Sequence, residues 1–248
     1  PCKEKRSTVS VSTADYLAQT RDAHFQEFLE LLAIPSVSTD PALAGEVHRC
    51  AEWVADRMRR AGIPTVELVE TKRHPVITGE WIGAPGKPTI LVYGHYDVQP
   101  ADPLDLWETP PFEPTIVDGK VIARGSADMK SNLVTVIQAI EALGQEFGAP
   151  PVNLRFFFEG EEEIGSPSAP EVVAQLKDKL QADGVLSCDG GMEGPDLPAI
   201  LLALKGITGV QVNLRTGTTD LHSVMYGATV PNAHQALAEL ASSFHTAD

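Results

Sequence analysis

Positive charge is scarce in this sequence of 248 residues, because 19 lysines and arginines stand against 34 aspartates and glutamates and leave a formal net charge of −15. Nucleic acids and anionic membranes both bind basic surfaces, so this charge balance argues against either as a partner. With 43% hydrophobic and 21% charged residues, the composition is otherwise typical of a soluble globular protein. The length allows one large or two modest domains.

Cysteine and long apolar runs are scarce as well. The cysteines Cys2, Cys50 and Cys188 are odd in number and have no paired spacing, so we expect no disulfide framework. No apolar stretch is long enough to cross a bilayer, and the polar segment 1–12 lacks the apolar core of a secretion signal. We therefore predict a cytoplasmic protein.

Apolar periodicity predicts an alternation of helices and strands. The predicted helices are 14–33, 45–61, 131–147, 171–180 and 231–244. The predicted strands are 65–69, 76–81, 89–93, 115–117, 120–123, 152–158 and 184–187, with a hairpin turn at Asp118-Gly119. This order predicts the α/β class, as a sandwich with a mixed, largely parallel sheet.

The pattern changes after Lys205. Residues 207–214 alternate apolar and polar side chains, as a strand with one exposed face does, and the helix 231–244 follows. We therefore predict two domains, with an α/β domain over residues 1–206 and the beginning of a smaller α+β domain over residues 207–248.

Acidic residues and one histidine follow the predicted strands. They are His95 and Asp97 after strand 89–93, Asp128 after strand 120–123, Glu162 and Glu163 after strand 152–158, and Asp189 after strand 184–187. In α/β sheets, ligands bind beyond the carboxyl ends of the strands. Imidazole and carboxylate are zinc ligands, and neighbouring carboxylates repel each other unless a cation lies between them. The sequence therefore predicts the site of a two-metal hydrolase.

Each of these residues also has a structural interpretation. A single histidine at a strand end is more often structural than a ligand, and a single aspartate after a strand more often caps a helix. The run Glu161–Glu163 alone would most often be a solvated surface. Their joint position at strand ends favours the functional interpretation.

Several ordered motifs resemble the zinc-dependent dipeptidase and deacylase family that includes carnosinases, carboxypeptidase G and succinyl-diaminopimelate desuccinylase. The motifs are Gly94–Pro100, Trp107–Ile116, Arg124–Lys130, Glu159–Ser166, and Thr219–Ser223 with Tyr226-Gly227. The resemblance covers roughly residues 15–245 and looks most like the carnosinase-like dipeptidases. It implies that residues 1–206 are the N-terminal part of a catalytic metallopeptidase domain and that residues 207–248 begin a lid and dimerisation domain.

The resemblance also implies the metal ligands. His95 and Asp189 would bind the first zinc ion, Glu163 would bind the second, and Asp128 would bridge the two. The expected cofactor is Zn²⁺, two ions per complete subunit, with Mn²⁺ or Co²⁺ as alternatives.

Three further roles follow from the resemblance. Glu162 would be the general base, and Asp97 would orient His95. His222 would reach from the partner subunit of a homodimer toward the carbonyl oxygen of the substrate. The peptide bond between Asp128 and Met129 would be cis.

The predicted reaction is hydrolysis of the amide bond of a dipeptide by water that two zinc ions activate. The alternative within enzymes is a deacylase or desuccinylase that acts on an N-acyl amino acid. The alternative outside enzymes is an inactive fragment or metal-binding module, because the family takes a further histidine for its second zinc from a later part of the chain. His234 and His245, on or just after the last predicted helix, are poor substitutes for it.

Overall fold

The computed structural model describes residues 11–194, 196–203 and 205–245. Cys2 and most of the polar segment 1–12 lie outside the described residues, whereas Cys50 and Cys188 are free thiols. The chain divides between Ile200 and Leu201 into two units. The domain boundary at 206/207 remains a prediction.

The first unit is built on a five-stranded mixed sheet. Its chain contains the strands β1 (Thr65–Val69), β2 (Val76–Trp81), β3 (Thr89–His95), β4 (Thr115–Val117), β5 (Lys120–Ile122), β6 (Asn153–Glu159) and β7 (Gly184–Ser187). The order in the sheet is β1-β2-β6-β3-β7, and β4 and β5 form a separate two-stranded sheet. β2 pairs antiparallel with β1 and β6, whereas β3 pairs parallel with β6 and β7. The predicted α/β class with a mixed sheet is confirmed.

The five predicted helices are present, together with a short helix that the sequence does not predict. They are α1 (Thr13–Leu32), α2 (Ala44–Arg60), α3 (Lys130–Phe147) and α4 (Ala169–Gln175) in the first unit, and α5 (Ser223–Tyr226) and α6 (Ala233–Ser242) in the second. The apolar faces of α2 and α3 join the sheet in the main core, which includes Val54, Met58, Leu133 and Ile137. α4 is shorter than the predicted helix 171–180, because it begins at Ala169 but ends already at Gln175. Among the described residues, none of the helices combines the length and apolar character needed to span a membrane.

A buried arginine connects the three long helices. Arg57 of α2 is 2% exposed, and its guanidinium contacts Glu141 of α3 and lies 2.6 Å from the carboxylate of Glu27 of α1. The hydroxyl of Tyr16 donates to Glu141 at 3.0 Å. Because an unpaired buried charge is strongly destabilising, this network fixes α3 against α1 and α2.

The hairpin signal at Asp118-Gly119 is confirmed. Both residues have left-handed backbone angles, with φ of 49° and 74°, and β4 pairs antiparallel with β5 on either side of them. A turn with two positive φ angles favours this residue pair because glycine lacks a Cβ and aspartate tolerates the left-handed region.

The strand predicted over residues 207–214 is wrong. These residues have no regular secondary structure. Alternation of side chains describes which faces a strand would present, but a strand forms only when a neighbour completes its backbone hydrogen bonds. In the part of the chain that the structure describes, no strand pairs with this segment.

Gly160, directly after β6, permits a close approach of the chain to Tyr96. A Cβ at residue 160 would lie 2.5 Å from the ring carbon Cζ and the hydroxyl oxygen of Tyr96. Tyr96 is fully buried, and its hydroxyl donates to the carbonyl oxygen of Pro75. A Cβ at residue 160 would therefore overlap a ring that is buried and held by a hydrogen bond.

We predict that Gly160→Ala lowers the free energy of unfolding by about 1–3 kcal/mol, the usual cost of overpacking a core. Gly45→Ala is the matched control, because a Cβ at this position of α2 meets no atom within 4 Å. Urea unfolding should give a lower midpoint for Gly160→Ala and an unchanged or higher midpoint for Gly45→Ala. Equal midpoints for the two variants would contradict the packing argument.

Candidate metal centre

The parallel pairing of β3 with β6 and β7 brings three strand ends to one edge of the sheet. His95, the last residue of β3, is in register with Glu159 at the end of β6, and Tyr93 is in register with Ser187 at the end of β7. Glu162 and Glu163 follow β6 after a turn, and Asp189 follows β7 by two residues. The sheet thus delivers these side chains to the same edge, as the sequence predicts.

His95 is at the centre of the cluster. Its side chain is fully buried, and its Nε2 lies 3.1 Å from Oδ1 of Asp128 and 3.6 Å from Oδ2 of Asp189. Its Nδ1 lies 3.0 Å from the carbonyl oxygen and 3.3 Å from Oδ1 of Asp97. One ring nitrogen therefore faces Asp97, and the other faces the acids that could share a metal ion with it.

Asp97 connects His95 to the glutamates after β6. Its carboxylate is fully buried and accepts the backbone N–H groups of Glu162 at 3.3 Å and Glu163 at 3.2 Å. Asp97 therefore holds both the imidazole and the turn that carries the two glutamates. This contact is consistent with the orienting role that the resemblance implies, which remains a prediction.

Asp128 reaches the cluster by a different route from the predicted one. Strand β5 belongs to the separate two-stranded sheet, so Asp128 does not follow a strand of the main sheet. It lies instead two residues before α3, and the bond to Met129 is cis, as expected. Lys130 is fully buried, and its Nζ donates to the carbonyl oxygens of Leu31 at 3.1 Å and Ile34 at 2.6 Å. These contacts fix the start of α3, and with it Asp128.

The three consecutive glutamates after β6 have different environments. Glu161 is buried, and its carboxylate accepts the backbone N–H groups of His74 at 3.0 Å and Ser168 at 2.9 Å. Glu163 accepts the side-chain amide of Gln99 at 2.8 Å. Only Glu162 and Glu163 of the run join His95 in a cluster, so Glu161 has a structural role that the sequence did not indicate.

The charged groups of the cluster shift one another's pKa values. Burial alone would lower the pKa of His95, but the hydrogen bond and charge of Asp97, with the charges of Asp189 and Glu162, raise this pKa to about 9. Burial raises the pKa of Glu162, and Glu163, Asp189 and Asp97 add to this rise, which the charge of His95 opposes. A bound divalent cation would lower the pKa values of both His95 and Glu162, because it favours the neutral imidazole and the charged carboxylate.

The donor set fits divalent metal ions. The ligand atoms of His95, Asp128 and Asp189 lie within 4.8 Å of one another, and so do those of His95, Glu162 and Glu163. The two groups share His95, whereas the expected shared ligand was Asp128. Imidazole nitrogen with carboxylate oxygens is a zinc-binding combination, and a cation would relieve the repulsion among these close carboxylates.

His222 belongs to the second unit. It precedes the short helix α5, and its Nδ1 accepts the backbone N–H of Val224 at 3.3 Å. Its expected contact with a substrate remains a prediction.

Several known proteins have sequences or structures similar to this chain. The chain is 32% identical over 251 residues to the Cys-Gly metallodipeptidase dug1 of Schizosaccharomyces pombe. The matched region covers 94% of this chain and 52% of that protein. It is 33% identical over 236 residues to the Beta-Ala-His dipeptidase of Rattus norvegicus, and this match covers 87% of this chain and 47% of that protein. The solved structure of the dipeptidase Dug1p from Saccharomyces cerevisiae matches with a TM-score of 0.69 and 26% identity, over 95% of this chain and 52% of that one.

The chain thus spans about half the length of the curated relatives it matches. The model of the Peptidase family M20/M25/M40 matches residues 91–246, which is more than half of the chain and includes every residue of the cluster around His95. On these grounds the chain belongs to the Peptidase family M20/M25/M40.

Proposed function

We propose that this chain carries the metal centre of a metallo-dipeptidase, which hydrolyses the amide bond of a dipeptide with two divalent metal ions. The observation that carries the proposal is the convergence of four carboxylates on the buried imidazole of His95 at one edge of the sheet. The dipeptidase activities of the relatives support the substrate class.

Three side chains would hold the first metal ion, namely His95, Asp128 and Asp189. Glu163 would bind the second ion. Asp128 would bridge the two ions, because its carboxylate lies beside His95 and its negative charge also raises the pKa of Glu163. Zinc ions at these ligands would activate water and polarise the scissile carbonyl.

Glu162 would serve as the general base. A general base must lie close to the water that it deprotonates, and a carboxylate oxygen of Glu162 lies within 4.8 Å of the ligand atoms of His95 and Glu163. Its carboxylate would take a proton from the attacking water and deliver it to the leaving nitrogen. Asp97 would keep Glu162 in place through the backbone N–H that it accepts.

The assembly and the choice between dipeptidase and deacylase are further parts of this proposal. We propose a homodimer in which His222 of one subunit contacts the substrate carbonyl bound in the other. Comparing kcat/KM for dipeptides and for N-acyl amino acids separates a dipeptidase from a deacylase. A protein that retains metal but turns over neither substrate would be the metal-binding module instead.

Glu162→Gln should retain the metal ions and the fold but lose about 10²–10⁴-fold in kcat, since an amide cannot accept and pass on the proton. The measurement is steady-state dipeptide hydrolysis by the purified full-length protein, with metal content determined in parallel.

The matched control is Glu171→Gln, which removes the same charge from an exposed residue of α4 that pairs with Lys72 at 3.2 Å. Its activity should equal that of the wild type. Near-normal kcat in Glu162→Gln would place the general base at another residue.

Metal removal should lower thermal stability, because the carboxylates around His95 then repel one another without a cation between them. Returning zinc should restore it by binding only the folded state, with a gain of about 2.7 kcal/mol at a free zinc concentration of 100 times the Kd. The measurement is the Tm in chelator and in zinc, with manganese and cobalt as alternatives. The double variant Asp128→Asn/Asp189→Asn is the control and should show little zinc-dependent shift, whereas a shift equal to that of the wild type would contradict the ligand assignment.

A further inference from the structure

Asn132, in the first turn of α3, holds the segment that carries Asp189. Its side-chain Nδ2 donates to the carbonyl oxygen of Cys188 at 2.6 Å and to that of Gly190 at 2.7 Å. Its Oδ1 accepts the hydroxyl of Ser131 at 2.9 Å, which fixes the orientation of the amide. A single side chain thus binds the backbone on both sides of a candidate metal ligand.

Two attachments place Asp189 beside His95. The first is the backbone N–H of Cys188, which donates to the carbonyl oxygen of Tyr93 at 3.0 Å and continues the pairing of β7 with β3. The second is Asn132, which connects the same segment to α3. Asp128 lies just before α3, and Asn132 lies in the first turn of that helix. Asn132 therefore connects the segment that carries Asp189 to the start of the helix that carries Asp128.

We propose that Asn132 is a positioning residue that sets the location of Asp189 and thereby the affinity of the first metal ion. This inference rests on the proposed function, in which His95, Asp128 and Asp189 hold that ion. The amide suits the task because both of its N–H groups donate, one to each carbonyl, and it adds no charge to an already acidic cluster. Groups that orient metal ligands contribute about 10–100-fold to metal affinity.

Asn153 offers a matched control in the same unit. Its Nδ2 also donates to two carbonyl oxygens, those of Ala84 and Lys87, each at 3.0 Å. Asn153 is the first residue of β6, whereas the metal cluster lies beyond the last residue of that strand. Removing its amide therefore removes the same kind of contact at the opposite end of the sheet.

The experiment compares Asn132→Ala and Asn153→Ala in the full-length protein by titrating zinc against a chromophoric chelator. Asn132→Ala should weaken the tightest-bound zinc by about 10–100-fold. Asn153→Ala should keep the wild-type zinc affinity, even if its unfolding temperature in chelator falls. Asn132→Gln, which retains the donor on a longer side chain, should have an affinity between those of Asn132→Ala and the wild type.

Wild-type zinc affinity in Asn132→Ala would overturn the inference, and so would an equal loss in Asn132→Ala and Asn153→Ala, which would indicate general destabilisation. Asp189→Asn separates this result from a failure of the proposed function. If Asp189→Asn binds zinc as tightly as the wild type, or if the wild type binds none, the metal centre itself is wrong and the inference fails with it. If only Asn132→Ala is without effect, the metal centre stands and the positioning role does not.

Discussion

Repulsion among the carboxylates around His95 is the constraint on which the site depends. Oxygens of Asp128 and Asp189 lie 3.1 Å and 3.6 Å from the same imidazole nitrogen, and although these two side chains are exposed, His95 and Asp97 beneath them are fully buried. The protein opposes this repulsion with fixed backbone donors, as in the two N–H groups that bind Asp97. These donors hold Asp97 beside the turn that carries Glu162 and Glu163, and a divalent cation would make the arrangement of carboxylates favourable.

The rest of the first unit keeps these groups in place. Parallel pairing of β3 with β6 and β7 sets the strand ends, and the buried Lys130 fixes the start of α3 against the carbonyl of Leu31 near the end of α1. Burial lowers the pKa of Lys130, because no carboxylate among the described residues pairs with this ammonium group and burying a charge is costly. Two backbone carbonyl acceptors offset that cost and make Lys130 a rigid support for Asp128.

Much of the fold could be predicted from the sequence, because apolar periodicity and turn residues are local signals. The strands that lead to His95 and Asp189 follow from them, and so does the hairpin at Asp118-Gly119. The failures concern contacts between distant segments. Alternation over 207–214 does not reveal whether a partner strand exists, and no local pattern shows that Asn132 binds the backbone around Asp189, 57 positions further along the chain.

The central claim is that His95, Asp128 and Asp189 bind one metal ion together, with Glu163 at a second. The most direct measurement is a crystal structure of the zinc-loaded protein with anomalous data collected at the zinc edge. The account predicts two adjacent zinc peaks, with Nε2 of His95 and carboxylate oxygens of Asp128 and Asp189 about 2.0–2.2 Å from one of them. A zinc-loaded crystal with no peak at this edge of the sheet, or with peaks that these side chains do not contact, would contradict it.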